Sequence, residues 1–438
     1  MPTRSQKLTV ALFFFALALD YRSQDGGGDL MQALLLAVLF GSWLAAMYLL
    51  SGRAVRAFPR AKFGLMLIGL LIATAFISAA VNGVPYGNFL RLELRYLLIF
   101  MAAALTYRWV RRGKPPEFIF NVVCWAIAAS VLAAVVQVVG IQRIPLSEVR
   151  YQISPVSSVL LLGFSMYLAS KIRLKWLGFF LLCASVIFLS ATRTYALAAM
   201  AALAWLGVLS VRHRDRALLL KINLTAAAVI IAPFLNVGLP AIWADRISAH
   251  STIADPTWLT RLAEYTTQWR LLTESAFSTF FGRGLGALHY YDPGVVRDII
   301  SLGIIRENTG YGAFEFGHSL WVYSAFSQGV LGGWIMPLLF VVPFLASLAN
   351  SWTRKGEKKD RLIAVQISVG FVGLFAVTFF SHPFGDRFFC VVFGAVATLS
   401  LVQRDLFVMP RGGQDQRPTA GSAKDANSAY AGQAAIYT

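Results

Sequence analysis

Long uninterrupted runs of apolar residues constrain this chain more than any other feature of it. A helix needs about 20 such residues to cross a bilayer, and the runs show no period-two alternation of the kind a membrane barrel strand carries. Lipid offers a backbone no hydrogen-bond partner, so each spanning run closes its own bonds as an α-helix. Twelve spans follow, at 8–21, 30–50, 62–81, 89–107, 117–139, 154–170, 174–190, 194–211, 217–235, 319–349, 362–380 and 384–402. The tenth is too long for one straight crossing and is expected to tilt, or to begin at the interface, before Gly332-Gly333, Pro337 and Pro343. The expected fold class is an all-α polytopic membrane protein. Composition agrees: 57% of residues are hydrophobic and 14% charged, against about 25% charged in soluble domains, which excludes a soluble globular enzyme.

The formal charge of +18 does not imply a nucleic-acid partner, because the Lys and Arg residues cluster between the apolar runs. With loops assigned alternately to two sides, 26 of the 39 fall on the side of the N-terminus, and the short loops of the other side hold five. The positive-inside rule then makes both termini cytoplasmic, with Arg108-Arg111-Arg112-Lys114 and Arg354-Lys355-Lys358-Lys359-Arg361 as topology determinants. Arg4, Lys7, the apolar residues after them and Ala16-Leu17-Ala18 also fit a cleavable signal peptide, although a retained span is the favoured reading. Spans one to nine occupy 1–235, a long outer loop 236–317, spans ten to twelve 318–403, and a Gly/Ala/Ser/Gln-rich tail, expected to be disordered and cytoplasmic, 404–438. Cys124, Cys183 and Cys390 lie inside apolar runs and predict neither a disulfide framework nor a metal site.

The chemistry is expected in the long loop and at the outer ends of the spans. Asp255-Pro256 reads as an N-cap and first helical residue, and Trp258, Leu262, Tyr265, Trp269, Leu272 and Ala276 then recur at helical spacing, an amphipathic helix lying on the membrane or over the spans. Gly282, Gly284 and Gly286 end it. On this helix Arg261 and Arg270 point to opposite faces, and each has a plain ion-pair partner, Glu264 and Glu274. Arg193 sits where two spans join with almost no loop, beside a helix N-terminus. That placement suits a phosphoryl anion, or equally a guanidinium snorkelling to lipid headgroups. Arg91 and Arg95 lie one turn apart in the fourth span, with Glu93 turned about 160° away. They face either an anionic ligand or acidic groups of neighbouring spans. Arg143 and Arg150 belong to the same outer side.

His318 opens the tenth span, where a helix N-terminus disfavours imidazolium, so the ring is either a neutral proton acceptor or simply structural. His382, Asp386 and Arg387 in the last outer loop form a secondary group that could orient substrate, while His213, His250 and His289 read as surface residues. No Asp-x-Asp pair lies on the outer side, which weakens the case for a metal-dependent transferase.

In three segments the chain resembles the O-antigen ligases (WaaL) of Gram-negative bacteria and, more distantly, the O-antigen polymerases (Wzy). These are Ser190-Ala191-Thr192-Arg193-Thr194, then Thr260-Arg261-Leu262 with Tyr265 and Phe281-Gly282-x-Gly284-x-Gly286, and Gly317-His318-Ser319-Leu320 with Gly332-Gly333. Ser319 stands where Asn is frequent. The resemblance implies transfer of a glycan from undecaprenyl pyrophosphate to a hydroxyl of the lipid A core, at the periplasmic face of the inner membrane and without a cofactor or metal. It implies His318 as base and Arg193 and Arg261 as pyrophosphate ligands, with membrane lipids as surroundings. A polymerase would use the same donor. A transporter would instead place charges at the midplane in repeated halves, and no internal repeat is evident.

Overall fold

The computed structural model describes residues 2–18, 29–52, 54–143, 156–189, 193–218, 221, 256–289, 317–353 and 357–408. Every regular element among them is helical. The helices are α1 (Arg4–Ala16), α2 (Asp29–Leu49), α3 (Pro59–Val81), α4 (Tyr86–Arg111), α5 (Pro116–Val135, continued by a π turn Val136–Ile141), α6 (Val156–Ala169), α7 (Leu174–Leu189) and α8 (Arg193–His213). They continue as α9 (Pro256–Thr273), α10 (Ala276–Phe281), α11 (Leu320–Gly332), α12 (Ile335–Trp352), α13 (Lys358–Thr378) and α14 (Arg387–Val408). Seven helices among the described residues are long and apolar enough to cross a membrane. Of the remaining expected spans, α4 is long but carries Arg91, Glu93 and Arg95, while α1, α6 and α7 have 13, 14 and 16 residues. The ninth expected span lies largely outside the described residues, as do 409–438 of the tail.

The core forms where helices lack a polar face. Along α14, residues Phe388 to Gln403 are all buried, which suits a helix enclosed by protein on every side. It packs on α3, α4 and α12, and α13 packs on α6, α8 and α12. Small residues permit the closest approaches, as in membrane bundles generally: a Cβ on Gly163 of α6 would stand 2.5 Å from the Gly370 Cα of α13. Between α12, α13 and α14, Phe340 stacks on Phe375 and Phe393 and meets Phe371 edge-on. All three cysteines are buried free thiols.

The bundle has two chemically distinct ends. At one, Arg60 pairs with the fully buried Asp405 at 2.6 Å, Lys171 with Asp215 at 2.9 Å, and Gln6 near the start of α1 reaches the Leu49 carbonyl at 2.9 Å. His213 meets the Ser351 carbonyl and Lys175 the Asn121 amide there too. The start of α1 and the finish of α14 therefore share this end, which carries Arg108, Arg111 and Arg112. The opposite end carries the loop helices.

The long tenth element is not one straight crossing, but it is broken rather than merely tilted: Gly329 has φ +58° inside α11, before a second break to α12. Opening the helix at Gly329 releases carbonyls of the preceding turn. The glycine-rich turn takes them up, Arg283 N–H donating to Phe326 O at 2.8 Å and Gly284 N–H to Ser327 O at 3.0 Å. Both backbones come so close that a Cβ on Gly329 would stand 2.4 Å from Gly282 N. This turn closes α10 rather than α9, because Ser275 starts the short second helix by accepting from Ser278 N–H at 3.0 Å.

Candidate functional site

Helix α9 lies across the end of the bundle, where the Tyr265 hydroxyl donates to the Phe379 carbonyl at the finish of α13, 3.0 Å away. Its first residue is Pro256, as expected, but its inner face is not the apolar stripe. Ala263, Glu264, Thr267, Gln268 and Leu272 are buried, whereas Leu262 and Trp269 are exposed. The reason is what lies beneath: α9 covers the polar opening of α11, so polar side chains turn inward. The outward apolar side chains suit lipid rather than water. Arg261 and Arg270 do diverge, Arg261 half-buried and Arg270 exposed, and Glu274 pairs with Arg283.

Glu264 is the centre of the inner face. It is 1% exposed, and its two oxygens gather donors from three directions. His318 gives its backbone N–H to Oε1 at 2.6 Å and its ring Nδ1 to Oε2 at 2.6 Å. Gln268 Nε2 donates to Oε1 at 3.2 Å, and an Arg261 guanidinium nitrogen lies 3.6 Å from Oε2. A buried carboxylate is costly unless paired and hydrogen-bonded. Burial pushes this carboxyl up, but the side-chain bond from His318, its charge, its N–H and Arg261 together hold it below the usual range. The His318 side chain itself stays partly open, 41% exposed. Ser319 then caps α11, accepting from Val322 N–H at 3.5 Å.

A second wall comes from the turn between α13 and α14. His382 is buried between the rings of Tyr323 and Phe384, at centroid distances of 5.5 and 5.9 Å. Burial first, then Arg95 and His318, hold its ring well below the ordinary histidine range. The charge of Arg95, on α4, is thus felt at this ring. Asp386 caps α14 by accepting from Phe389 N–H at 3.2 Å, and Tyr195, in the first turn of α8, lies beside Ser381, Asp386 and Arg261.

The predicted residues thus divide. His318, Arg261, Arg95, His382 and Asp386 come together at one bundle end. Arg193 opens α8 two residues before Tyr195, as its helix N-terminal placement required, and its side chain lies outside the described residues, like Arg150. Arg91 is exposed and reaches Asn88 at 3.4 Å, Arg143 is exposed beyond the π turn, and Arg387 turns to Gln32 of α2 at 3.3 Å. One expectation is overturned: His289, read as a surface residue, is 1% exposed, its Nε2 3.1 Å from Gln268 Nε2. His213 is exposed, and His250 lies outside the described residues.

Sequence reasoning missed Glu264, Gln268 and Tyr195. Their signal was present but faint: Glu264 and Gln268 are four apart on one helix face, and Tyr195 follows the Arg193 element by two. Among the described residues no three His, Cys, Asp or Glu side chains are grouped to hold a metal ion. Neither a protein-family model nor a curated protein sequence matches the chain.

Proposed function

We propose that this end of the bundle is the site of a membrane glycosyltransferase of the O-antigen ligase type, facing the periplasm from a bacterial inner membrane with both termini cytoplasmic. The observation that carries the reading is the meeting of a partly exposed imidazole, His318, with the Arg261 guanidinium around one buried carboxylate, among helices able to span a membrane. The three sequence segments that resemble the ligases supply the substrate class: a glycan on undecaprenyl pyrophosphate as donor and a lipid A-core hydroxyl as acceptor. A lipid-linked pyrophosphate carries its own leaving group, so the reaction needs no nucleotide outside the cytoplasm.

The acceptor oxygen attacks the anomeric carbon as the bond from that carbon to the pyrophosphate oxygen breaks. Undecaprenyl pyrophosphate departs with the electron pair, and His318 Nε2 takes the hydroxyl proton. Arg261 and Arg193 stabilise the charge growing on the pyrophosphate, as preorganised cations do. One displacement inverts the anomeric centre. Purified protein in lipid vesicles, given the lipid-linked glycan and lipid A-core with chelator present, is expected to attach glycan to lipid A-core. Lengthening of the lipid-linked glycan alone would make the protein a polymerase, and substrate movement without transfer would reject the transferase reading.

A further inference from the structure

The contacts around Glu264 leave little freedom in where the protons sit. Its Oε1 already accepts two N–H groups, from the His318 backbone and from Gln268, so the geometry of the pair is set from both sides. A Gln amide nitrogen carries two donors and no lone pair to accept. The contact of Gln268 Nε2 with His289 Nε2 at 3.1 Å therefore has His289 accepting, and Gln268 is fixed with its amide nitrogen toward both neighbours. A carboxylate below its usual range accepts only, so the 2.6 Å contact at Oε2 has His318 Nδ1–H donating. The remaining ring nitrogen, Nε2, then carries the lone pair on the partly exposed side of the ring.

We infer that Glu264 is a positioning residue. It fixes His318 in the Nδ1–H tautomer, aims Nε2 at the acceptor hydroxyl, and stabilises the imidazolium formed when that proton arrives, with Gln268 and His289 locking the carboxylate from behind. This rests on the transferase reading for its purpose but not for its geometry. A third group orienting a base is a recurrent device of acid–base catalysis, where loss of the orienting charge costs far more than its distance from substrate suggests. Arg261 is held by the same carboxylate, so Glu264 ties the base and a pyrophosphate ligand to one point. The groups around His318 are Glu264 in contact with its ring, Arg261 on the same carboxylate, His289 through Gln268, and His382, whose ring feels the charges of Arg95 and His318. Among the described residues, Glu264 is the acid in contact with the ring.

The experiment has two readouts on the full-length protein in lipid nanodiscs. The first is ring ¹⁵N magnetic resonance of labelled histidine, with the His318 signals assigned by their loss in His318→Gln. The wild type is expected to show Nδ1 protonated and Nε2 unprotonated above neutral pH, and Glu264→Gln to lose that preference. A wild-type ring protonated at Nε2 would overturn the inference. The second is the pH profile of glycan transfer from undecaprenyl-pyrophosphate-linked glycan to lipid A-core. Glu264→Gln is expected to lower turnover about 100-fold with donor KM little changed, and to move the acid limb about one unit lower, because the imidazolium loses its counter-charge. Glu264→Asp, which keeps the charge, is expected to return the limb toward its wild-type position. Unchanged turnover and profile in Glu264→Gln would overturn the inference while leaving the transferase intact. A correct tautomer in a protein that transfers no glycan would support the positioning of the ring and reject the transferase instead.

Discussion

His318 and Arg261 meet across 54 and three residues of sequence at the same carboxylate, and their substitutions should separate chemistry from binding. His318→Gln is expected to lower turnover by about 10²- to 10⁴-fold with the donor still bound, measured as initial transfer rate in vesicles. Arg261→Ala is expected to lose about 10²-fold, and Arg261→Lys to recover only part, because an ammonium lacks the planar fork. His382 makes a different prediction. Its folded ring is held neutral, so the unfolded chain binds the extra proton first, and stability is expected to fall as pH drops below the ordinary value of 6.5. Glu264 is shifted in the same direction from a lower starting point: its contribution is full above 4.5 and is lost as pH falls through its lowered value. Thermal unfolding in detergent should therefore weaken between those two pH values in the wild type and stay flatter in His382→Phe. At this scale the residues alone left His318 between a structural and a functional role and Arg261 in a plain ion pair with Glu264, and the family resemblance singled the two out. The second role of Glu264 was not legible, since Arg261 three residues away already accounted for it and the contact to His318 is non-local. His289 was misread because nothing in its neighbours announces that Gln268 covers it.

The helices themselves were largely readable, since hydropathy and length decide them before packing does. The register of α9 was readable only in part, because its apolar stripe divides: Leu272 is buried, whereas Leu262 and Trp269 turn outward and leave Glu264, Thr267 and Gln268 against the polar opening of α11. The glycines show the same limit: their spacing announced a turn, but not that its N–H groups would fill the gap opened in α11 at Gly329. Gly329→Ala forces a Cβ into the Gly282 backbone at a positive φ, and is expected to destabilise by about 2–3 kcal/mol and to release the segment holding His289. Gly178→Ala on α7 meets nothing within 4 Å and is expected to leave the unfolding temperature unchanged or slightly raised. Equal losses in both variants would mean that the docking of the turn on α11 is not what Gly329 provides.

At the scale of the whole molecule, one end of the bundle gathers Arg60, Arg108, Arg111 and Arg112 among the described residues. The basic end is tied by Arg60 to Asp405, whose side chain is fully buried, so Arg60→Ala is expected to cost about 1–3 kcal/mol by leaving that carboxylate without its partner. The same change should leave the proposed glycan transfer untouched, since the proposed site lies at the other end. The cationic and imidazole groups of that other end define where a pyrophosphate should sit, and this placement is the claim on which the proposed chemistry depends. Electron cryomicroscopy of the protein with undecaprenyl pyrophosphate tests it most directly. Density for the pyrophosphate is expected against Arg261, beside His318 and the first turn of α8. Density at the end carrying Arg108, Arg111 and Arg112 would contradict the account.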